Sequence, residues 1–461
     1  MKILKVIHDF LPASTAGTEI YCANLASELS EKHEVILFFT AFSPAARTPR
    51  LRQGRFRGLR FYEARANRSA PDFSLSYSNP DLERIFENIL REENFDLVHI
   101  HHLLYHSLGY PRIAKQRSLP VIFTLHDYYL TCPSPDGGKL LRKDHSRCPG
   151  PEASSCAECL SPPTSERNNF SARFGKFLKI LPLDLFPLLS RFRRKLPLAL
   201  ISTLDGLISS AHFPATMGSP SEIEARQDYI HRNLIPHVDI FIAPSRHLRQ
   251  RFIGFGFPAE RIIYLDHGIP IESFRRRSRE RAGTIRFGFA GGLIPAKGVH
   301  ILVEAFSRLN DLKASLRIFG DPRLSPAYVL KLKRMARNHP ISFPGALPVE
   351  RVFEAYRQID CLIVPSIWEE NSPLVIHEAQ AARIPVIASN IGGIPELIEN
   401  DINGLLFEAG NPDDLKKMLL KIIQEPKLLE LYRRNSRRIK SIEKNAEEFE
   451  NIYSQFIRRK I

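Results

Sequence analysis

The sequence predicts an α/β protein built from two doubly wound domains, and three observations carry that prediction. At 461 residues the chain exceeds the size at which one hydrophobic core stops growing, and 43% apolar residues suffice for two ordinary cores. Its short apolar runs are hydrophobic on both faces, as in strands of a parallel sheet covered by helices on both sides. These runs alternate with stretches of helical period twice over, before and after a long interruption.

Taken in order, Ile3 to Ile7 reads as the first strand. His8 and Asp9 close it at once, so it does not resemble a secretory leader and the chain is expected in the cytoplasm. A loop from Pro12 to Thr18 leads into a helix from Glu19 through Leu29, and strands follow at Val35 to Phe39, Leu97 to Ile100 and Val121 to Leu125. Residues 128–235 break the pattern with a cysteine-containing loop and a Pro-containing basic stretch, and are read as an insertion. A strand at Val238 to Ala243 resumes it, giving a first domain over 1–275. Arg275 to Arg281 reads as an exposed linker. The second domain, 282–440, carries strands at Thr284 to Ala290, Leu316 to Phe319, Cys361 to Pro365, Val386 to Ala388 and Leu405 to Phe407. Its last helices run on from Asp413 to the C-terminus, with 441–461 set apart as a C-terminal helix. Two such domains facing each other form a cleft at the C-terminal ends of their strands, where open α/β sheets bind ligands.

The net charge of +15 points to an anionic partner. Much of the excess is clustered, at Arg47, Arg50, Arg52, Arg55, Arg57 and Arg60 and again at Arg275, Arg276, Arg277, Arg279 and Arg281. No RNA-recognition signature, zinc-finger helix or basic heptad array accompanies these clusters, so nucleic acid is not the expected partner. The apolar stretch from Phe177 to Ile208 is interrupted by Lys179, Asp184 and Arg191 to Lys195, which excludes a membrane span. Phe170, Phe174, Phe177, Leu178 and Leu181 share one helical face beside Arg173, Lys176 and Lys179. With Arg191, Arg193, Arg194 and Lys195 that pattern suits an anionic membrane surface, and an internal helix packed on its own domain explains it equally.

The strongest motif is Trp368-Glu369-Glu370-Asn371-Ser372-Pro373-Leu374-Val375-Ile376-His377-Glu378-Ala379, directly after the strand at Cys361. A strand end followed by a helix start is a ligand-binding position. With Ser372 or Asn371 as cap and Pro373 in the first turn, the backbone N–H groups there suit a diphosphate or sugar hydroxyls. Two glutamates at this spacing around Asn-Ser-Pro-Leu, followed by Pro385 to Ser389, Gly392-Gly393-Ile394-Pro395-Glu396 and Asn403 to Phe407, resemble the nucleotide-sugar motif of the family 4 retaining glycosyltransferases. The resemblance covers nearly all of the chain outside the insertion. It implies the two-domain GT-B fold, a nucleotide-sugar donor, and a glycan or lipid-linked acceptor of cell-surface polysaccharide synthesis. It further implies that Glu378 binds the donor ribose, that Glu370 contacts the transferred sugar, and that amides near Asn371 to Leu374 meet sugar and diphosphate.

A second element, Ala290-Gly291-Gly292-Leu293-Ile294-Pro295-Ala296-Lys297-Gly298, closes the first strand of the second domain. Such a turn lets a phosphate approach the backbone, and Lys297 adds a positive charge for the leaving diphosphate. It resembles the family's Gly-Arg-Leu turn, but Gly292 stands at the usual arginine. In the first domain Gly17-Thr18 sits where the family has its glycine-rich loop, with Thr18 for the second glycine. His99, His101 and His102 follow one strand and His126-Asp127 another, and by resemblance His126 touches the donor sugar. No acidic third ligand makes a catalytic zinc triad of them, and no Asp-x-Asp metal-diphosphate motif occurs, so no metal is expected in catalysis. Cys132, Cys148, Cys156 and Cys159 share one loop, leaving two readings open: a structural four-thiolate zinc site, or four unconnected thiols. Two readings rival a transferase. A nucleotide-sugar-binding protein without activity is suggested by Gly292, and a dinucleotide oxidoreductase is opposed by the lack of Gly-x-Gly-x-x-Gly after either first strand.

Overall fold

A computed structural model describes residues 1–43, 46, 48–67, 72–134, 138–161, 197–201, 218–274, 283–309 and 313–458. The strands number β1 Lys2–Ile7, β2 Glu34–Phe42, β3 Arg50–Phe56, β4 Leu59–Ala66, β5 Leu97–Ile100, β6 Val121–Thr124, β7 Ile240–Ala243 and β8 Ile262–Tyr264 in the first sheet. Their order is β3-β4-β2-β1-β5-β6-β7-β8, parallel throughout except that β3 runs antiparallel to β4. The second sheet holds β9 Ile285–Ala290, β10 Ala314–Phe319, β11 Ile341–Gly345, β12 Cys361–Val364, β13 Val386–Ser389 and β14 Gly404–Phe407 in the order β11-β10-β9-β12-β13-β14. Every strand expected from sequence is present. Of those missed, β3, β8 and β11 lie at the sheet edges with exposed or half-exposed residues, whereas β4 lies beside the edge strand and is largely buried. Each of β5, β6, β12 and β13 is buried along its whole length.

The direction of strand order reverses between β1 and β5 in one sheet and between β9 and β12 in the other. Crevices open at such reversals. The chain leaves β1, β5 and β6 into His8, His101 and His126, and leaves β9 and β12 into the Gly-rich turn and the glutamate loop. Both sets of loops therefore face one cleft.

The domains are joined across that cleft. Ser245 Oγ donates to Asn371 Oδ1 at 2.7 Å, and Asn371 Nδ2 donates to the Leu125 carbonyl at 3.3 Å. Glu396 of the second domain accepts from the backbone N–H of Arg246 and His247, at 2.9 and 2.6 Å. These donors open the helix Arg246–Gly254, whose N-terminus favours a negative charge.

The C-terminal helix Ile442–Arg458 departs from expectation. It packs not on the second domain but on the first, where Ile442, Ala446, Phe449 and Tyr453 share a core with Ile3, Ile7, Cys22 and Leu25. Tyr21 Oη donates to Asn445 Oδ1 at 2.7 Å, and Tyr453 Oη lies 2.6 Å from His99 Nδ1. The first domain is completed by the end of the chain.

Candidate active site

After β12 the chain turns through Pro365 to Pro373 into the helix Leu374–Ala381. Two glycine positions fix this turn by close approach. Gly298, at φ +65°, lies where a Cβ would come within 1.8 Å of the Pro365 carbonyl oxygen, and a Cβ on Gly393 would come within 1.9 Å of that of Asn371. Gly393 also donates its N–H to the Glu370 carbonyl at 2.7 Å. The turn is thus clamped by the Lys297-Gly298 segment on one side and Gly392-Gly393 on the other.

Glu370 is buried and accepts at a single oxygen, Oε1, from Lys297 Nζ and Ser366 Oγ, both at 2.6 Å. Lys297 Nζ also lies 5.3 Å from the centre of the Trp368 ring, a cation–π distance. Glu378 is buried deeper in the helix and accepts from Tyr356 Oη at 2.5 Å. Burial drives its carboxyl up to about 7, with the Tyr356 hydrogen bond pulling the other way. Nothing in the Trp368 motif announces Tyr356, which arrives from the helix Phe353–Arg357.

Asn371 and Ser372 do not cap the helix as expected. The N-cap residue is Pro373, with no side-chain bond to the turn. Cross-domain and local partners compete for both side chains: Asn371 is held by Ser245 and Leu125, and Ser372 Oγ donates to Asp266 Oδ1 at 2.9 Å and lies 2.8 Å from His377 Nε2. No side chain therefore covers the amides of the first turn, the donors left over at any helix start. Gly17 stands opposite, a Cβ there lying 3.8 Å from Leu374 Cδ1.

Gly291 takes φ +152° and donates its N–H to the Phe319 carbonyl at 3.1 Å. At Gly292 a Cβ would meet only Leu324 Cδ1, at an ordinary 3.7 Å, so packing does not forbid a side chain there. The nearby Arg323 is no evident replacement for the missing arginine, since it is paired with Asp321 at 2.8 Å.

In the first domain His126 is half-buried and sits among aromatic rings, 5.5 Å from that of His267 and 5.7 Å from that of Tyr21. Burial, with help from His102, lowers it to about 3, so it is neutral at working pH. His99 and His101 are wholly buried, and His102 is tied to Asp127 at 3.0 Å. A further acid that sequence reasoning passed over is Glu19, buried at the start of the helix Gly17–Leu29 and bonded to Ser14 Oγ at 2.7 Å and His8 Nε2 at 3.2 Å. Burial pushes its carboxyl up, but these bonds outweigh it and hold Glu19 down at about 2.

The four loop cysteines lie near one another, Cys156 interacting electrostatically with Cys148 and Cys159, and Cys132 with Cys156. Cys156 packs with Leu160 and Ile223, Cys148 Sγ donates to the Gly150 carbonyl at 3.2 Å, and Cys132 and Cys159 are half-buried. Among the described residues no three His, Cys, Asp or Glu side chains are placed to hold a metal ion. Of the first arginine cluster, Arg52 pairs with Glu63, Arg57 with Glu350, and Arg60 with Glu34 and Glu93, so much of that charge is answered internally. Arg47, residues 170–195 and the linker arginines 275–281 lie outside the described residues. No helix among the described residues is long and apolar enough to cross a membrane.

Comparison with known proteins agrees with this arrangement. The family described as Glycosyl transferases group 1 matches residues 270–439, and Glycosyltransferase Family 4 matches residues 15–150, together about two thirds of the chain. A D-inositol 3-phosphate glycosyltransferase of Streptomyces bingchenggensis is 30% identical over 195 residues, covering 38% of this chain and 43% of that one. The amylovoran biosynthesis glycosyltransferase AmsK of Erwinia amylovora is 26% identical over 209 residues, covering 44% and 51%. The chain spans about half the length of the curated relatives it matches. Among solved structures, Anabaena Alr3699/HepE in complex with UDP and glucose aligns over 99% of this chain and 100% of that one, with a TM-score of 0.62 at 15% identity. Sucrose-phosphate synthase from Thermosynechococcus elongatus aligns over 99% of both, with a TM-score of 0.66 at 15% identity. At such identity the likeness is one of fold.

Proposed function

Since the chain belongs to the group 1, family 4 glycosyltransferases of the GT-B fold, we propose that it transfers a sugar from a nucleotide-diphosphate donor, bound in the cleft against the second domain, to an acceptor held by the first. One observation carries this reading: Lys297, from the Gly-rich turn after β9, meets Glu370 at 2.6 Å, and Glu370 lies on the loop leading into the helix that buries Glu378. The site thus offers a cation for the leaving diphosphate, an anion for the sugar that gains positive charge, and a buried carboxyl for the ribose. His126 faces the sugar from the other wall. Bond breaking at the anomeric carbon releases nucleoside diphosphate, whose charge Lys297 and the backbone N–H groups of Leu374 and Val375 offset without an essential metal.

The finer reading is a hexosyl transfer with retention of anomeric configuration onto a glycan or lipid-linked acceptor, in the making of a cell-surface polysaccharide. The similarity to an amylovoran biosynthesis enzyme supports it. Work at the inner face of the membrane, through the basic and aromatic residues of 170–195, belongs to the same proposal. Replacing Arg191, Arg193, Arg194 and Lys195 by Gln is then expected to release the protein from anionic vesicles, and unchanged co-sedimentation contradicts it.

Gly292 motivates the one competing reading, a protein that binds nucleotide sugars without transferring them. Incubation with UDP-, GDP- and ADP-sugars and lipid-linked or oligosaccharide acceptors separates the two. Transfer is expected to release nucleoside diphosphate with at least one pairing, whereas binding with no release and no product identifies the inactive protein.

A further inference from the structure

We propose that Lys5, buried in the first strand, is a positioning residue that fixes the ring proton of His126 on Nδ1 by way of His101. Lys5 is wholly buried on β1, with its Nζ 3.1 Å from His101 Nε2 and 3.2 Å from His99 Nδ1. The titratable groups around it are Cys22 from the helix Gly17–Leu29, His99 and His101 from β5 and its end, and, through His99, Tyr453 from the C-terminal helix. The ring of Phe449 lies 6.0 Å away. The partners it bonds are thus imidazoles, not a carboxylate. A buried cation costs stability unless its hydrogen bonds are answered, and packing alone is served by an apolar chain of the same length.

An ammonium has three N–H groups and no lone pair, so each ring nitrogen bonded to it accepts. Burial keeps both imidazoles neutral, and a neutral imidazole carries its one proton on the other nitrogen. For His99 that is Nε2–H, which meets Thr124 Oγ1 at 2.8 Å. For His101 it is Nδ1–H, which points at His126 Nε2 at 3.2 Å. His126 Nε2 is thereby an acceptor already in use, and its proton sits on Nδ1. Whatever ligand His126 meets, it meets as a hydrogen-bond donor through Nδ1–H. Resting on the donor-site reading above, this gives His126 an oxygen of the sugar or diphosphate as its partner and excludes it as a proton acceptor on that side.

Burial lowers Lys5 to about 8, opposed by the Cys22 sulfur. Above that pH the ammonium is lost, the amine acquires a lone pair, and the constraint on His101 and His126 is released. The test is a long-range proton–nitrogen correlation spectrum of the full chain labelled with 15N-histidine, without ligand, the His126 signals assigned by their loss in His126→Gln. At pH 7 the wild type is expected to show His126 as the Nδ1–H tautomer alone. At pH 9.5, and at pH 7 in both Lys5→Met and His101→Phe, its two nitrogens are expected to shift toward each other as tautomers mix. Lys5→Met keeps the chain's volume, and the wild-type pH series stands even if neither variant folds. An Nε2–H tautomer at pH 7, or an Nδ1–H signal unmoved by pH 9.5 and by the variants that fold, overturns the proposal. Addition of UDP, GDP and ADP to the wild type tests the donor-site reading separately. A His126 Nδ1 signal that none of them moves counts against that reading, while the tautomer result still decides the role of Lys5.

Discussion

Glu378 and Glu370 sit on one loop and helix yet have opposite surroundings, and that difference makes their roles separable. Glu370 is matched by a lysine, whereas Glu378 has a phenol and a carboxyl raised to about 7. A folded-state pKa raised above the unfolded value means that the folded protein holds the proton more tightly. The stabilisation by the neutral form is therefore complete near pH 4.5 and is lost as pH rises to about 7. Glu378→Gln is expected to be more stable than wild type by roughly 1–3 kcal/mol above pH 7 in the absence of nucleotide, the difference closing toward pH 4.5. Thermal melts of both proteins at the two pH values check this, and a difference of equal size at both would contradict it. The pair of glutamates was legible in the sequence because the resemblance rests on their spacing. Tyr356 was not, because it comes from a different βα unit and nothing local marks it.

At the scale of the element, the loop between β12 and the helix Leu374–Ala381 owes its shape to glycines on two other segments. Gly393→Ala would place a Cβ 1.9 Å from the Asn371 carbonyl oxygen, a distance closed only by moving the loop. The expected result is a loss of turnover of tenfold or more with a lowered melting temperature, since a displacement of about 1 Å at a reacting centre is felt as ~100-fold in rate. Gly292→Ala, with 3.7 Å to its nearest neighbour, serves as the control and is expected to change stability little. The strands that carry this loop were readable because they are apolar on both faces. The β3–β4 pair was not, since Arg50, Arg52, Arg55, Arg57 and Arg60 look like a surface cluster until their partners Glu34, Glu63 and Glu93 are brought alongside. The helix cap failed for a similar reason: Asn and Ser before a helix are ordinary caps, and only the facing domain supplies the Ser245, Leu125 and Asp266 atoms that draw them away.

Across the whole molecule, the last helix returns to the first domain, so the two halves are held by the chain's end as well as by the cleft contacts. An amphipathic stripe over 442–458 was visible in sequence, but an apolar face carries no address, and either domain could have taken it. Tyr453→Ala removes a fully buried ring and its bond to His99, and is expected to cost about 3–5 kcal/mol by denaturant unfolding, although the residue is remote from the glutamates in sequence. The same closure brings loops of both domains to one cleft, where the proposed function has a nucleoside diphosphate sugar lie with its ribose at Glu378 and its sugar at Glu370. The most direct measurement is a thermal-shift titration with UDP-, GDP- and ADP-sugars and their free diphosphates, run on the wild type, Glu378→Gln and Glu370→Gln. One base class is expected to stabilise the wild type by about 2.7 kcal/mol at a hundred times its Kd. Free diphosphate affinity should fall in Glu378→Gln and stay unchanged in Glu370→Gln, whose loss appears instead in turnover. No stabilisation by any nucleotide sugar, or a diphosphate affinity lost in Glu370→Gln and kept in Glu378→Gln, would contradict this placement of the donor.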